Sequence, residues 1–151
     1  HRDLHKEYRR QRQMCIRDRV SEGKISPKAW LDEDVTYHDA CYLGRHNDEY
    51  DAPRDVIQSI MKNGSLVEME KSREESFCCG AGGGNMWYEI KTGERINHNR
   101  FKQAAKTGAT TVATSCNFCN IMMEDGMKVT GNDDKMKVMD IAELVSKSLS
   151  N

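Results

Sequence analysis

The sequence predicts an α/β domain: a small, mostly parallel sheet of about four strands flanked by helices, with a site at the C-terminal edge of the strands. Two observations carry this. Short β-branched runs alternate along the chain with stretches of helical periodicity, the order that builds parallel sheets with helices on their faces. Five cysteines, Cys41, Cys78, Cys79, Cys116 and Cys119, fall at or beyond the ends of those runs, and open α/β sheets bind ligands beyond the carboxyl ends of their strands.

Residues 34–38 (DVTYH) are short, β-branched and aromatic, and read as a strand running directly into Asp39-Ala40-Cys41. Pro53 then opens a helix with Asp51 as candidate N-cap; Val56, Ile57 and Ile60 recur at helical spacing, and Asn63-Gly64 closes it. A second strand is expected at 66–69, followed by a charged turn over 70–76. The stretch 77–85 (FCCGAGGGN) holds too many glycines for the interior of a helix or strand. Residues 96–106 form the next predicted helix, ended by Thr107-Gly108. The third strand, 109–115 (ATTVATS), places Cys116 at its end, and a helix over 117–127 begins inside the C-x-x-C. Residues 137–139 are the fourth strand. Asp140 caps the final helix, 141–149, with Ile141, Leu144 and Val145 on its apolar side.

At 151 residues the chain is one domain's worth and long enough for a core. No run of 18 apolar residues and no signal-peptide pattern is present in it, so a cytoplasmic setting is expected, peripheral to the inner face of a membrane if the missing part or a partner is membrane-bound. Thiols stay reduced in that compartment, and clustered cysteines there read as metal-binding or catalytic. Formal net charge is −1, unevenly spread: residues 1–19 hold seven Lys/Arg against three Asp/Glu. Within them, QRQMCIRDR resembles translated adapter read-through, so 1–19, with Cys15, is expected to be a non-native leader. Residues 20–33, with Pro27 and Trp30, are a lead-in, and 34–149 the cysteine-rich domain. Without the basic leader the remainder is acidic, which argues against a nucleic-acid partner.

Thirty-six residues separate Cys41 from the Cys78–Cys79 pair, and another thirty-six separate the pair from Cys116. A lone cysteine is usually a small buried hydrophobe, but a vicinal pair and a C-x-x-C are unusual packing choices. Structural zinc takes four ligands and would leave one thiol over. Thioredoxin-like exchange would use Cys116 and Cys119 and leave three. Thiolates are soft ligands, and iron–sulfur ligation accounts for all five. Gly80, Gly82, Gly83 and Gly84 miss the dinucleotide fingerprint, since Asn85 stands at the sixth position. They are expected instead to form a backbone cradle donating N–H groups to sulfur. His38, His46 and His98 lack metal-motif spacing, and His38, the one next to the site, is expected to support the ligands or to pack in the core rather than to ligate. Met122, Met123 and Met127 are expected to shield it; Trp87 and Tyr88 are expected in the core or as a lid.

With these residues quoted, the chain resembles the cysteine-rich (CCG) domain of the heterodisulfide-reductase-related iron–sulfur proteins. The likeness runs over residues 34–149: HDACYLGR around Cys41, FCCGAGGGNMW around the pair, INHNRFKQAAKTGATTVATSCNFC into the last pair, then MEDGMK and VMDIAEL. Ala40 and Asn117 stand where the family commonly has proline. The resemblance implies a [4Fe–4S] cluster, cubane or noncubane, held by Cys41, Cys78, Cys79, Cys116 and Cys119. It implies an electron-transfer domain of a larger oxidoreductase, working with other iron–sulfur or flavin subunits, such as electron-transferring flavoprotein, or with a quinone-linked membrane partner. A cluster-based disulfide reductase and a zinc-stabilised interaction module are the alternatives.

Overall fold

The computed structural model describes residues 15–28, 31–89 and 91–149. Of the leader expected over residues 1–19, residues 1–14 lie outside them, as does Trp30. Three short parallel strands form the sheet in the order β1 (Val35–Tyr37), β2 (Thr111–Thr114), β3 (Lys137–Asp140). Their register sets Tyr37 beside Ala113 and Thr114 beside Asp140. Among the described residues from 31 onward, the α-helices beside them are α1 (Gly44–Asn47), α2 (Asp51–Ser59), α3 (Ile96–Ala105), α4 (Asn117–Val129) and α5 (Ile141–Leu149). Residues 15–21 are also helical, and Ile16 packs against the core.

The second expected strand, at 66–69, shrinks to a single bridge, whereas the fourth, at 137–139, is present as β3. Leu66 pairs with Val35, whose N–H is accepted by Ser65 O at 2.9 Å while its carbonyl accepts from Val67 N at 2.8 Å. Then Glu68 turns to Arg54, and the chain leaves the sheet edge. This fragment still fixes the topology. Val35 also pairs with Thr111, so the 65–67 segment lies on the side of β1 away from β2. The chain steps outward from β1 and then crosses back to its other side. That reversal between β1 and β2 is the kind of place where α/β sheets bind their ligands.

Strand periodicity divides the core between the two faces, because successive side chains point oppositely. Val35, Tyr37, Ala113 and Met139 pack with Val56, Ile57 and Ile60 of α2 and Ile141, Leu144 and Val145 of α5. Val112 and Val138 point the other way, into Phe101 and Ala104 of α3 and Met123 and Met127 of α4. The expected shielding methionines therefore part company: Met122 reaches the thiols, whereas Met123 and Met127 are core.

Helix boundaries follow the sequence with small shifts. Asp51 is the first residue of α2 rather than its cap; Glu49 Oε1 accepts the Ala52 N–H at 2.9 Å in that role. Asp140 does cap α5, its Oδ1 accepting from Ala142 N at 2.8 Å. α3 and α4 meet at Gly126, where an added Cβ would stand 2.8 Å from Phe101 Cβ and 2.9 Å from Asn97 O. Gly126→Ala is therefore expected to destabilise the fold by about 1–3 kcal/mol through overpacking, despite alanine's better helix propensity; urea unfolding measures it.

Candidate metal centre

Each cysteine group arrives on a different loop. The polypeptide leaves β1 at Tyr37 and passes through His38 and Asp39 to Cys41, ahead of α1. It leaves β2 at Thr114, reaches Cys116 as the N-cap residue of α4, and sets Cys119 in that helix's first turn. A helix N-terminus carries positive partial charge and favours thiolate there. Tyr37 and Ser115 tie the two strand ends together through a 2.7 Å hydroxyl hydrogen bond.

The Cys78–Cys79 loop turns at Gly80 (φ 86°), a conformation that favours glycine. A Cβ on Gly80 would also crowd Ile96 Cβ at 3.0 Å. Its N–H donates to Cys78 Sγ at 3.2 Å. Gly82 and Gly84 line the thiol cavity, and Gly83 is not among the lining residues. The loop runs on as a 3₁₀ segment, Gly82–Trp87, kinked by left-handed Gly83 and Gly84.

All five sequence-singled thiols line one cavity of about 400 Å³, walled otherwise by apolar groups including Met86, Trp87 and Phe118. Cys79 and Cys119 lie at its floor with their sulfurs 3.4 Å apart. Ala40, Leu43 and Met122 pack around them. Cys78 and Cys116 are half-buried and Cys41 is exposed. Cys15 is also exposed and has no place in the cavity lining. Trp87 and Tyr88, expected in the core or as a lid, are both exposed; only Trp87 reaches the cavity.

The thiols cannot all ionise unaided. Cys79 is pushed well below the ordinary thiol range by hydrogen bonds from Cys119 and Cys78, against the cost of burial, with His38 assisting. Cys119 is pushed up, by its hydrogen bonds with Cys116 and Cys79 and then by burial. Cys78 rises through its hydrogen bond with Cys79 and through burial, and Cys41 through burial and the neighbouring sulfurs. One thiolate thus suppresses the next. Charge from a soft cation would relieve this, and a reduced, sulfur-rich, partly buried donor set fits such a group.

Two arginines, which reading by residue type misses as solvated helix charges, anchor the loop before Cys41. Arg54 uses all five N–H groups: Asp39 accepts at 2.8 and 3.0 Å, Glu68 at 2.6 and 2.9 Å, and Tyr50 O at 2.6 Å. Burial opposes its charge, but the hydrogen bonds to Glu68 and Asp39 outweigh it and hold Arg54 charged above its usual range. Asp39 also accepts the Arg73 N–H at 2.8 Å. Arg100, fully buried, donates to His38 Nδ1 at 3.0 Å. Its position had a signal, since it sits in the Asn97–Arg100–Phe101–Ala104 buried stripe of α3. His46 meets the Tyr42 ring at a tilt and His98 faces Asp125, and neither histidine is in the cavity lining.

A family model described as a cysteine-rich domain, CCG, matches residues 35–124. The chain is 45% identical over 130 residues to the probable iron-sulfur-binding oxidoreductase FadF of Bacillus subtilis, covering 86% of this chain and 18% of that protein. It is 42% identical over 137 residues to the EtfAB:quinone oxidoreductase of Syntrophomonas wolfei, covering 86% and 19%. With one component of the dihydromethanophenazine:CoB–CoM heterodisulfide reductase of Methanosarcina barkeri it shares 35% over 134 residues, covering 89% and 32%. The chain therefore spans less than a third of these relatives' length.

Proposed function

Because this chain belongs to the cysteine-rich CCG domain family, we propose that it is the iron–sulfur electron-transfer domain of a larger oxidoreductase. The observation that carries the reading is the meeting of five thiols from three loops in one cavity. Cys41, Cys78, Cys79, Cys116 and Cys119 would hold the iron, as a [4Fe–4S] centre of cubane or noncubane type. When bound, such a centre supplies one-electron redox chemistry that no side chain here provides.

The chain's own groups do the rest. Cys79 supplies one buried sulfur from the glycine-rich loop and Cys119 the other from the first turn of α4. Gly80 donates its N–H to Cys78 Sγ, one of the bonds through which a protein sets a cluster's potential. Gly82, Gly83 and Gly84 would complete a backbone cradle. Met122, Met86 and Trp87 keep bulk water from the sulfurs. The names of the relatives support a path between a flavoprotein or another iron–sulfur protein and a quinone-linked partner. No helix among the described residues is long and apolar enough to cross a membrane; a cytoplasmic, peripheral location fits such a path.

Anaerobic reconstitution tests this directly. Iron and acid-labile sulfide are expected together, with a broad sulfur-to-iron charge-transfer absorption. Zinc bound without sulfide would end the proposal in favour of a zinc-stabilised module. A second reading, disulfide reduction at the same centre, is favoured by one feature: five thiols stand where a cube takes four, and Cys41 is open to solvent at the mouth. EPR of the reduced protein separates the two, since a pure relay leaves the spectrum unchanged when a disulfide is added.

A further inference from the structure

His38 is buried to 1% exposure behind the thiols, and one of its ring nitrogens lies within 4.8 Å of the sulfurs of Cys79 and Cys119. Distance alone makes it a candidate ligand. Its other side says otherwise. Arg100 Nε donates to His38 Nδ1 at 3.0 Å. A guanidinium has donors only and keeps its proton, so Nδ1 must be the lone-pair nitrogen. The ring proton is then on Nε2, the nitrogen left to serve the sulfurs. A metal-bound histidine shows the reverse arrangement, its far nitrogen donating N–H to a carboxylate or carbonyl. Ligation through Nε2 here would require an imidazolate.

Arg100 poses its own question. It is fully buried, yet every partner is neutral: His38 Nδ1, Lys71 O at 2.9 Å, Gln103 Oε1 at 2.8 Å and Ser76 Oγ at 3.2 Å. Among the described residues no carboxylate is in ion-pair reach of it. A buried cation is costly unless negative charge stands near. Asp39, the residue after His38, supplies part of that charge from beyond hydrogen-bond reach, and thiolates of the proposed centre would supply more from behind the imidazole.

We infer that His38, fixed in its Nε2–H tautomer by Arg100, donates a hydrogen bond to the Cys79 sulfur and raises the reduction potential of the centre without ligating it. Reduction adds negative charge that spreads onto the sulfurs, so a donor at Cys79 and a buried cation behind it favour the reduced form. His38 and Arg100 are positioning residues in this account. It rests on the iron–sulfur reading above and goes beyond it.

The test uses the reconstituted chain beside His38→Ala, His38→Gln and Arg100→Met. Iron and sulfide per chain are expected to stay unchanged in His38→Ala. Its midpoint potential is expected to fall by about tenfold in the reduction equilibrium, about 59 mV for one electron, the scale of one hydrogen bond to a charged group. Gln, which keeps a donor, is expected to recover part of that shift, and Arg100→Met to lower the potential in the same direction. An unchanged potential in a fully loaded His38→Ala protein overturns the inference. So does complete loss of iron from a folded variant, beyond the roughly tenfold to hundredfold weakening that loss of a ligand's support causes, which would make His38 a ligand.

Should a variant fail to fold, pulsed EPR of the unmutated reduced protein with ¹⁵N-histidine decides. Weak nitrogen coupling with an exchangeable proton coupling, lost in D₂O, supports the donor; strong coupling of a bound nitrogen overturns it. Absence of iron and sulfide from the unmutated chain would instead defeat the proposed function, and this inference with it.

Discussion

Cys79→Ala and Cys119→Ala are each expected to strip the reconstituted protein of its iron and sulfide. Loss should be at least the roughly tenfold to hundredfold that removing a mere support of a metal ligand costs. These two sulfurs are the buried ones, 3.4 Å apart at the cavity floor, and no water can take a missing sulfur's place there without burying a polar group. Cys15→Ala is the control: it changes an exposed thiol outside the cavity lining and should leave the metal content unaltered. Iron and sulfide assays, with circular dichroism to confirm folding, make the comparison. Equal iron in the Cys119→Ala and Cys15→Ala proteins would remove Cys119 from the ligand set.

The largest expected loss of stability belongs to Asp39→Asn, about 3–5 kcal/mol. Asp39 and Arg54 are paired with side-chain exposures of only 3% and 5%, and Asp39 also takes the Arg73 N–H. Asparagine offers one acceptor and an unwanted donor, leaving a buried guanidinium that Glu68, itself 39% exposed, compensates only in part. Such a loss is a large share of a domain's usual stability of about 5–15 kcal/mol. Adding Arg54→Met to the same protein should restore part of it, because an apolar side chain of similar length removes the stranded charge. Chemical denaturation of the single and double variants reads both effects. If the double variant is no better than the single, the cost lies in the Arg73 bond rather than in the stranded charge.

Much of this architecture was legible because it rests on periodicity. The runs around Val35, Val112 and Val138 declare buried strands, and the cysteines that follow the first two declare which end of the sheet matters. The segment at Leu66 was overread: β-branched and apolar residues there have strand character, but Glu68 is drawn off by Arg54, a partner fourteen positions back that local pattern cannot supply. The same blindness hid the support of the site. Arg54 and Arg100 look like surface charge by residue type, and only packing shows that one holds Asp39 and the other His38. Residue type alone left Trp87 between core and lid; it is exposed yet lines the thiol cavity, which leaves only the lid.

The depth ordering of the sulfurs gives the centre a vulnerable side. Oxygen or peroxide arriving from solvent meets Cys41 first and the Cys79–Cys119 floor last. Damage to the proposed centre would then start at the rim, with the Cys79–Cys119 pair the last sulfurs reached.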